Sequence, residues 1–161
     1  MKKIFIFIFL SLLFTSCKST STAVSKKESK RENRSLVNKL IETATDNIGA
    51  PYKAAGTTKN GFDCSGLVFT TFQSENIKLP RSSYEQAKVG KIINIDYAQK
   101  GDLIFFKTNK SKQINHVGLI VEVSSNEIKF VHSSTSKGVI ISSTKEAYYQ
   151  KSFAQINRII E

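Results

Sequence analysis

The chain carries few of the residues from which chemistry is usually built: two cysteines, two histidines and two prolines in 161 residues. Two cysteines exclude a disulfide framework, allowing at most one Cys17–Cys64 bridge in an oxidising compartment. Long apolar runs are also missing. The longest, Ile4 to Phe14, is broken by Ser11 and is too short to span a bilayer. There is no internal repeat. No RRM, zinc-finger or helix-turn-helix pattern is visible, which argues against nucleic acid as a partner in spite of a formal net charge of +11. One cysteine and two histidines could in principle hold a zinc ion with an open position. Their separations, 64 to 116 to 132, match no short metal signature, so neither a metal nor an organic cofactor is called for.

What is present is a globular composition, 40% apolar with eleven phenylalanines and 23% charged, enough for one domain with a real core. The charge is uneven. Residues 18–34 hold six basic and two acidic residues, so the remainder is only mildly basic, as suits an envelope protein beside anionic polymers. Lys2 and Lys3 precede the apolar run, the arrangement of a signal peptide. The run ends in Phe14-Thr15-Ser16-Cys17, which resembles the bacterial lipoprotein signal, although Phe14 replaces the usual Leu. Residues 1–16 are therefore expected to be a signal peptide and Cys17 to carry the lipid. Lipidation excludes the disulfide and leaves Cys64 as the one free thiol. Residues 17–34, polar and nearly free of apolar side chains, read as a flexible basic tether.

The domain is expected over 35–161. Ser35 can cap a helix with Val37, Leu40, Ile41, Ala44 and Ile48 at the 3.6-residue period, ended by Gly49. A loop follows to Asn60. Asp63 is a plausible cap for a helix from Cys64 to about Glu75, and Ser82 or Ser83 for a short helix to about Val89. After Lys100 the pattern turns to β: Asp102–Phe106, His116–Val123, Glu127–Ser133 and Val139–Ser142, with Ser125-Asn126 as a hairpin turn. A short helix over Thr144–Lys151 and a strand over Phe153–Ile160 close the chain. Helices first and antiparallel strands after give an α+β fold.

A thiol at a helix start is exposed to the partial positive charge of unpaired N–H groups, which favours thiolate and predicts a pKa below about 8.5. The Cys64 N–H could serve as an oxyanion donor. The histidines supply partners. His116 opens one predicted strand and His132 lies in the next, so a hairpin about residues 125–126 brings both to one end of a sheet. One imidazole can act as base for the thiol, and the other can accept its ring N–H.

Five ordered stretches resemble the NlpC/P60 family of cell-wall cysteine peptidases: Pro51-Tyr52-Lys53-Ala54-Ala55-Gly56, Gly61-Phe62-Asp63-Cys64-Ser65-Gly66-Leu67-Val68, Leu79-Pro80-Arg81-Ser82-Ser83 with Gln86-Ala87, Gly101 to Phe106, and His116-Val117-Gly118. Ala55 stands where members often have Gly. The resemblance implies a papain-like fold, N-terminal helices packed on an antiparallel sheet, and hydrolysis of peptide bonds in peptidoglycan stems through an acyl-enzyme. It implies Cys64 as nucleophile, His116 as base and His132 as its orienting partner. Tyr52 is implied near the oxyanion, with Asp63, Ser65, Arg81, Ser82 and Ser83 along the peptide-binding cleft. Peptidoglycan stem peptides are the partner it implies; the domain is expected to be monomeric, and the lipoprotein signal at Cys17 to hold it to the outer membrane facing the periplasm. The competing readings are a non-catalytic wall-binding lipoprotein, and an amidase or acyltransferase on the same fold.

Overall fold

The computed structural model describes residues 21–161, with side chains from Lys26 onward. The expected signal peptide and Cys17 lie outside the described residues. Helix α1 covers Ser21–Thr45. It starts fourteen residues before the expected Ser35 and takes in most of the segment read as a tether. Lys, Arg, Glu and Ala are good helix formers, and adding turns to an existing helix is inexpensive. The existing helix is the half anchored in the core by Leu40 and Ala44. The far end differs too. Backbone turns replace the helix after Thr45, so Ile48 is 50% exposed and Asn47 is buried in its place.

The remaining elements follow in order. A small antiparallel pair, β1 (Thr57–Thr58) and β2 (Gly61–Phe62), leads into α2 (Cys64–Gln73) and the single turn α3 (Ser83–Gln86). Then come β3 (Lys91–Ile93), a 3-10 turn, β4 (Leu103–Phe106), β5 (His116–Ser124), β6 (Glu127–Ser134), β7 (Gly138–Ser143), α4 (Ala147–Ser152) and β8 (Phe153–Arg158). The sheet has the order β3-β8-β4-β5-β6-β7 and is antiparallel throughout. The α+β reading holds.

Both faces of the sheet are covered, which explains why the central strand β4 reads Leu-Ile-Phe-Phe without a polar interruption. Alternate side chains serve alternate faces. Leu103 and Phe105 join α1 and α2 in one apolar cluster with Leu40, Leu67, Val68 and Phe72. Ile104 and Phe106 pack on the other side with Ile120, Phe130, Ile156 and Tyr149 of α4. The edge strand β3 was not legible in the sequence because Ile92 is 67% exposed and little of the strand is buried.

Candidate active site

The sequence places Cys64 where two elements meet. Asp63 adopts an extended backbone and its carboxylate accepts the Gly66 N–H at 2.6 Å, so α2 begins on the thiol-bearing residue. The N–H groups of Cys64 and Ser65 have no backbone acceptor among the described residues, and both help hold the sulfur. From the sheet, the Val117 N–H also donates to the sulfur, which lies 3.9 Å from the Asn115 carbonyl oxygen. The thiol therefore rests on the backbone flanking His116.

The hairpin delivers the second half. Leu119 of β5 pairs with Val131 of β6; two steps along this register, His116 and His132 become diagonal neighbours on one face. His116 Nε2 lies 2.9 Å from His132 Nδ1, with the rings edge-to-face. His132 is fully buried, and its Nε2 lies 3.3 Å from the Tyr149 hydroxyl. The far nitrogen of His116 is thus occupied, and Nδ1, the ring nitrogen nearest the backbone that holds the thiol, makes no hydrogen bond among the described residues. Ser133 fastens the two halves: its hydroxyl donates to the Phe62 carbonyl at 2.7 Å, tying the residue after His132 to the strand before Cys64.

A family model described as the NlpC/P60 family matches residues 49–158. The chain belongs to the NlpC/P60 family. It is 38% identical to a probable endopeptidase of Haemophilus influenzae, covering 98% of each chain. It is 36% identical over 80% of its length to an Escherichia coli protein named murein DD-endopeptidase MepS/murein LD-carboxypeptidase, of which it spans 65%. Among solved structures, an NlpC/P60 family protein from Bacillus cereus superposes with a TM-score of 0.70 at 32% identity, covering 78% of this chain and 40% of that one.

Within this NlpC/P60 domain the other expected residues fall into two groups. Arg81 joins the centre directly. Its guanidinium donates to both carboxylate oxygens of Asp63 at 2.9 and 2.7 Å, to the Ser65 hydroxyl at 3.0 Å and to the Gly56 carbonyl at 3.3 Å. Arg81, with Gly66 and Ser65, holds the Asp63 carboxyl below its ordinary range against the opposing effect of burial. Asp63 is therefore already engaged as helix cap and ion-pair partner. Tyr52 bridges Phe62 through its backbone, while its ring is 37% exposed and its hydroxyl makes no hydrogen bond among the described residues. Ser82 caps α3 by accepting the Glu85 N–H, and Ser83 is buried behind it. Gln86 donates to the Ser65 and Pro80 carbonyls and locks the same corner.

Electrostatics depart from the expectation of a thiolate. Desolvation, reinforced by the charge of Asp63, pushes the thiol up to about 11, against the lowering effect of the N–H groups around the sulfur. Burial likewise lowers His116 to about 4. Burial first, and His116 second, lowers His132 to about 3. The helix-start field is smaller than the desolvation, so burial favours the neutral thiol over the thiolate and the neutral imidazole over the imidazolium. Free cysteine near pKa 8.5 carries far more thiolate at pH 7.5, so iodoacetamide should alkylate Cys64 at least ~100-fold more slowly than free cysteine. The rate should climb tenfold per pH unit from 7 to 10. A plateau below pH 8 would show an ion pair instead.

Tyr149 was missed in the sequence because its helix lies past the last recognisable stretch and nothing local marks it. Its hydroxyl lies 3.3 Å from His132 Nε2, and in the tautomer where it accepts the Nε2–H, His132 Nδ1 is left as the acceptor for His116, which makes Tyr149 a candidate positioning residue. Tyr149→Phe should lower kcat about tenfold with KM unchanged, short of the 10²–10⁴ lost with a general base. Nitrogen NMR should show His132 in mixed tautomers. An unchanged tautomer with lowered kcat would assign the loss to packing.

Proposed function

We propose that this protein is a cell-envelope cysteine peptidase that hydrolyses peptide bonds in the stem peptides or cross-links of peptidoglycan through an acyl-enzyme. The observation that carries this reading is the line His116–His132–Tyr149 running to a thiol at a helix start. With its Nε2 proton donated to His132, His116 has a lone pair on Nδ1 to take the Cys64 proton. The sulfur then attacks the scissile carbonyl carbon. The carbonyl electrons move onto oxygen, which the Cys64 and Ser65 N–H groups stabilise. His116 returns the proton to the leaving amine as the C–N bond breaks. Water, deprotonated by His116, attacks the thioester; the carbonyl re-forms, the acid departs, and the proton returns to sulfur.

Starting from the neutral pair, each turnover creates charge in a desolvated setting. Fixed N–H dipoles and the His132 acceptor offset that charge without reorganising. The exposed Tyr52 ring and the Arg81–Asp63–Ser65 corner flank the nucleophile and serve as the floor for the peptide. Residues 1–16 act as signal peptide and Cys17 takes the lipid, which places a monomeric domain at the outer membrane facing the periplasm. The relatives' names, an endopeptidase and a murein DD-endopeptidase/LD-carboxypeptidase, support peptidoglycan as the polymer. Mass spectrometry of products from sacculi and defined stem peptides tests the reading and identifies the bond. Release of peptides with new termini is expected at diaminopimelate, on the side of D-glutamate or of D-alanine. Binding to sacculi with no cleavage of any stem peptide would overturn it in favour of a wall-binding module.

A further inference from the structure

A second concave site lies at the other end of the molecule. Strand β4 runs toward the catalytic end, where Phe106 pairs with His116. Gly101, just before β4, is five extended residues from Phe106, about 16 Å away. Around Gly101 opens a groove of about 890 Å³ between α1 and the loop and strand ends beneath it. Lys26, Lys30 and Arg34 line it from α1, at the i, i+4, i+8 spacing of one helix face. Glu28 and Glu32 fall outside the lining. Lys91 and Lys100 line the opposite bank.

None of these five cations forms an ion pair among the described residues. Residues 1–25 contain no Asp or Glu that could pair with them. The groove's sixth cation, Arg158, is already paired with Asp102 at 2.8 Å and also feels the charge of Glu161, the other acidic residue of the lining. Gathering like charges on one concave face is unfavourable without an anion to receive them. Helix α1 fixes where that face points. Its C-terminal end sits at the catalytic pole, because the Gly49 N–H that follows it donates to Val139, which pairs with Ser133 beside His132. Its N-terminal end therefore lies at the pole that carries the groove.

We propose that this groove docks on an anionic phospholipid surface and so turns the catalytic cleft away from the membrane, toward the wall. The choice of a lipid surface over a soluble polyanion rests on the lipid-anchor reading. Ser21 is four residues from Cys17, within about 14 Å even if fully extended, which brings the basic face close to the headgroups. Juxtamembrane lysines and arginines gain attraction there that fades within a Debye length.

The test uses residues 21–161, which contain both apolar clusters complete and omit Cys17, so it is independent of whether the lipid is attached. Mass spectrometry of Cys17 in the full chain tests the anchor separately. The protein should co-sediment with vesicles containing phosphatidylglycerol and not with pure phosphatidylcholine vesicles. Replacing Lys26, Lys30, Lys91 and Lys100 by Gln should weaken that binding at least about 100-fold, with hydrolysis of a soluble stem peptide unchanged as the check on folding. Equal binding to both vesicle types would overturn the proposal. So would undiminished binding by the variant, or binding to soluble polyphosphate in preference to vesicles.

Discussion

Cys64→Ala should abolish peptide release from sacculi, a loss of at least about 10⁴-fold, and His116→Ala should lose at least about 10³-fold. Removing the sulfur removes the acyl-enzyme itself. Removing His116 leaves the thiol, which burial holds in its protonated form, with no base to deprotonate it at neutral pH. Cys64→Ala should stay folded, since it deletes one small, partly exposed group. His116→Ala leaves His132 Nδ1 without its partner, so its urea midpoint must be measured beside its rate. Undiminished release by Cys64→Ala would sink the mechanism.

The pH profile of the wild type carries a further signature of the same neutral pair. With His116 near 4 and the thiol near 11, kcat/KM should show no acid limb around 6.5. Acid acts through stability instead. Both histidines are depressed in the folded state, so as pH falls below 6.5 the unfolded chain takes up protons that the folded one refuses. Stability present above pH 6.5 is lost on the way down, by about 2 kcal/mol per histidine at pH 5.

Most of this centre was legible from residue order. Cys64 after Asp63, and two histidines in consecutive predicted strands, place the thiol, its helix cap and the histidine pair with only local rules, and the hairpin brings the two imidazoles together. What stayed hidden depends on long-range contact. Tyr149 reaches His132 from a helix formed after the sheet's central hairpin, and Ser133 reaches Phe62 across 71 positions. The state of the thiol was misread for a related reason. A helix start can be seen in a sequence, whereas desolvation depends on everything packed around the sulfur. Asp63 was read correctly as a cap, but its ion pair with Arg81 required the fold.

That corner gives the second large effect. Gly66→Ala should destabilise the protein by about 3 kcal/mol or more and disable what remains folded. By helix propensity alone the change should stabilise, since Ala is favoured over Gly by about 1 kcal/mol inside a helix. Space reverses the sign. A Cβ on Gly66 would sit 2.0 Å from the Gly56 carbonyl oxygen, 2.9 Å from an Arg81 guanidinium nitrogen and 2.9 Å from an Asp63 carboxylate oxygen. None of these can step aside freely. The Gly56 carbonyl accepts from both Arg81 and the Asp63 N–H, and Arg81 and Asp63 hold one another. Relief requires either that the loop carrying Gly56 lift away or that the first turn of α2 shift. A shift of about 1 Å there moves Cys64, two residues upstream, and misplacement on that scale costs about 10² in rate. Gln73→Ala, on the exposed end of the same helix, is the control and should leave both quantities unchanged. Urea unfolding and kcat/KM measured together decide the matter. If Gly66→Ala matches wild type in both, the loop yields to the helix and the Arg81–Asp63 corner does not position the nucleophile.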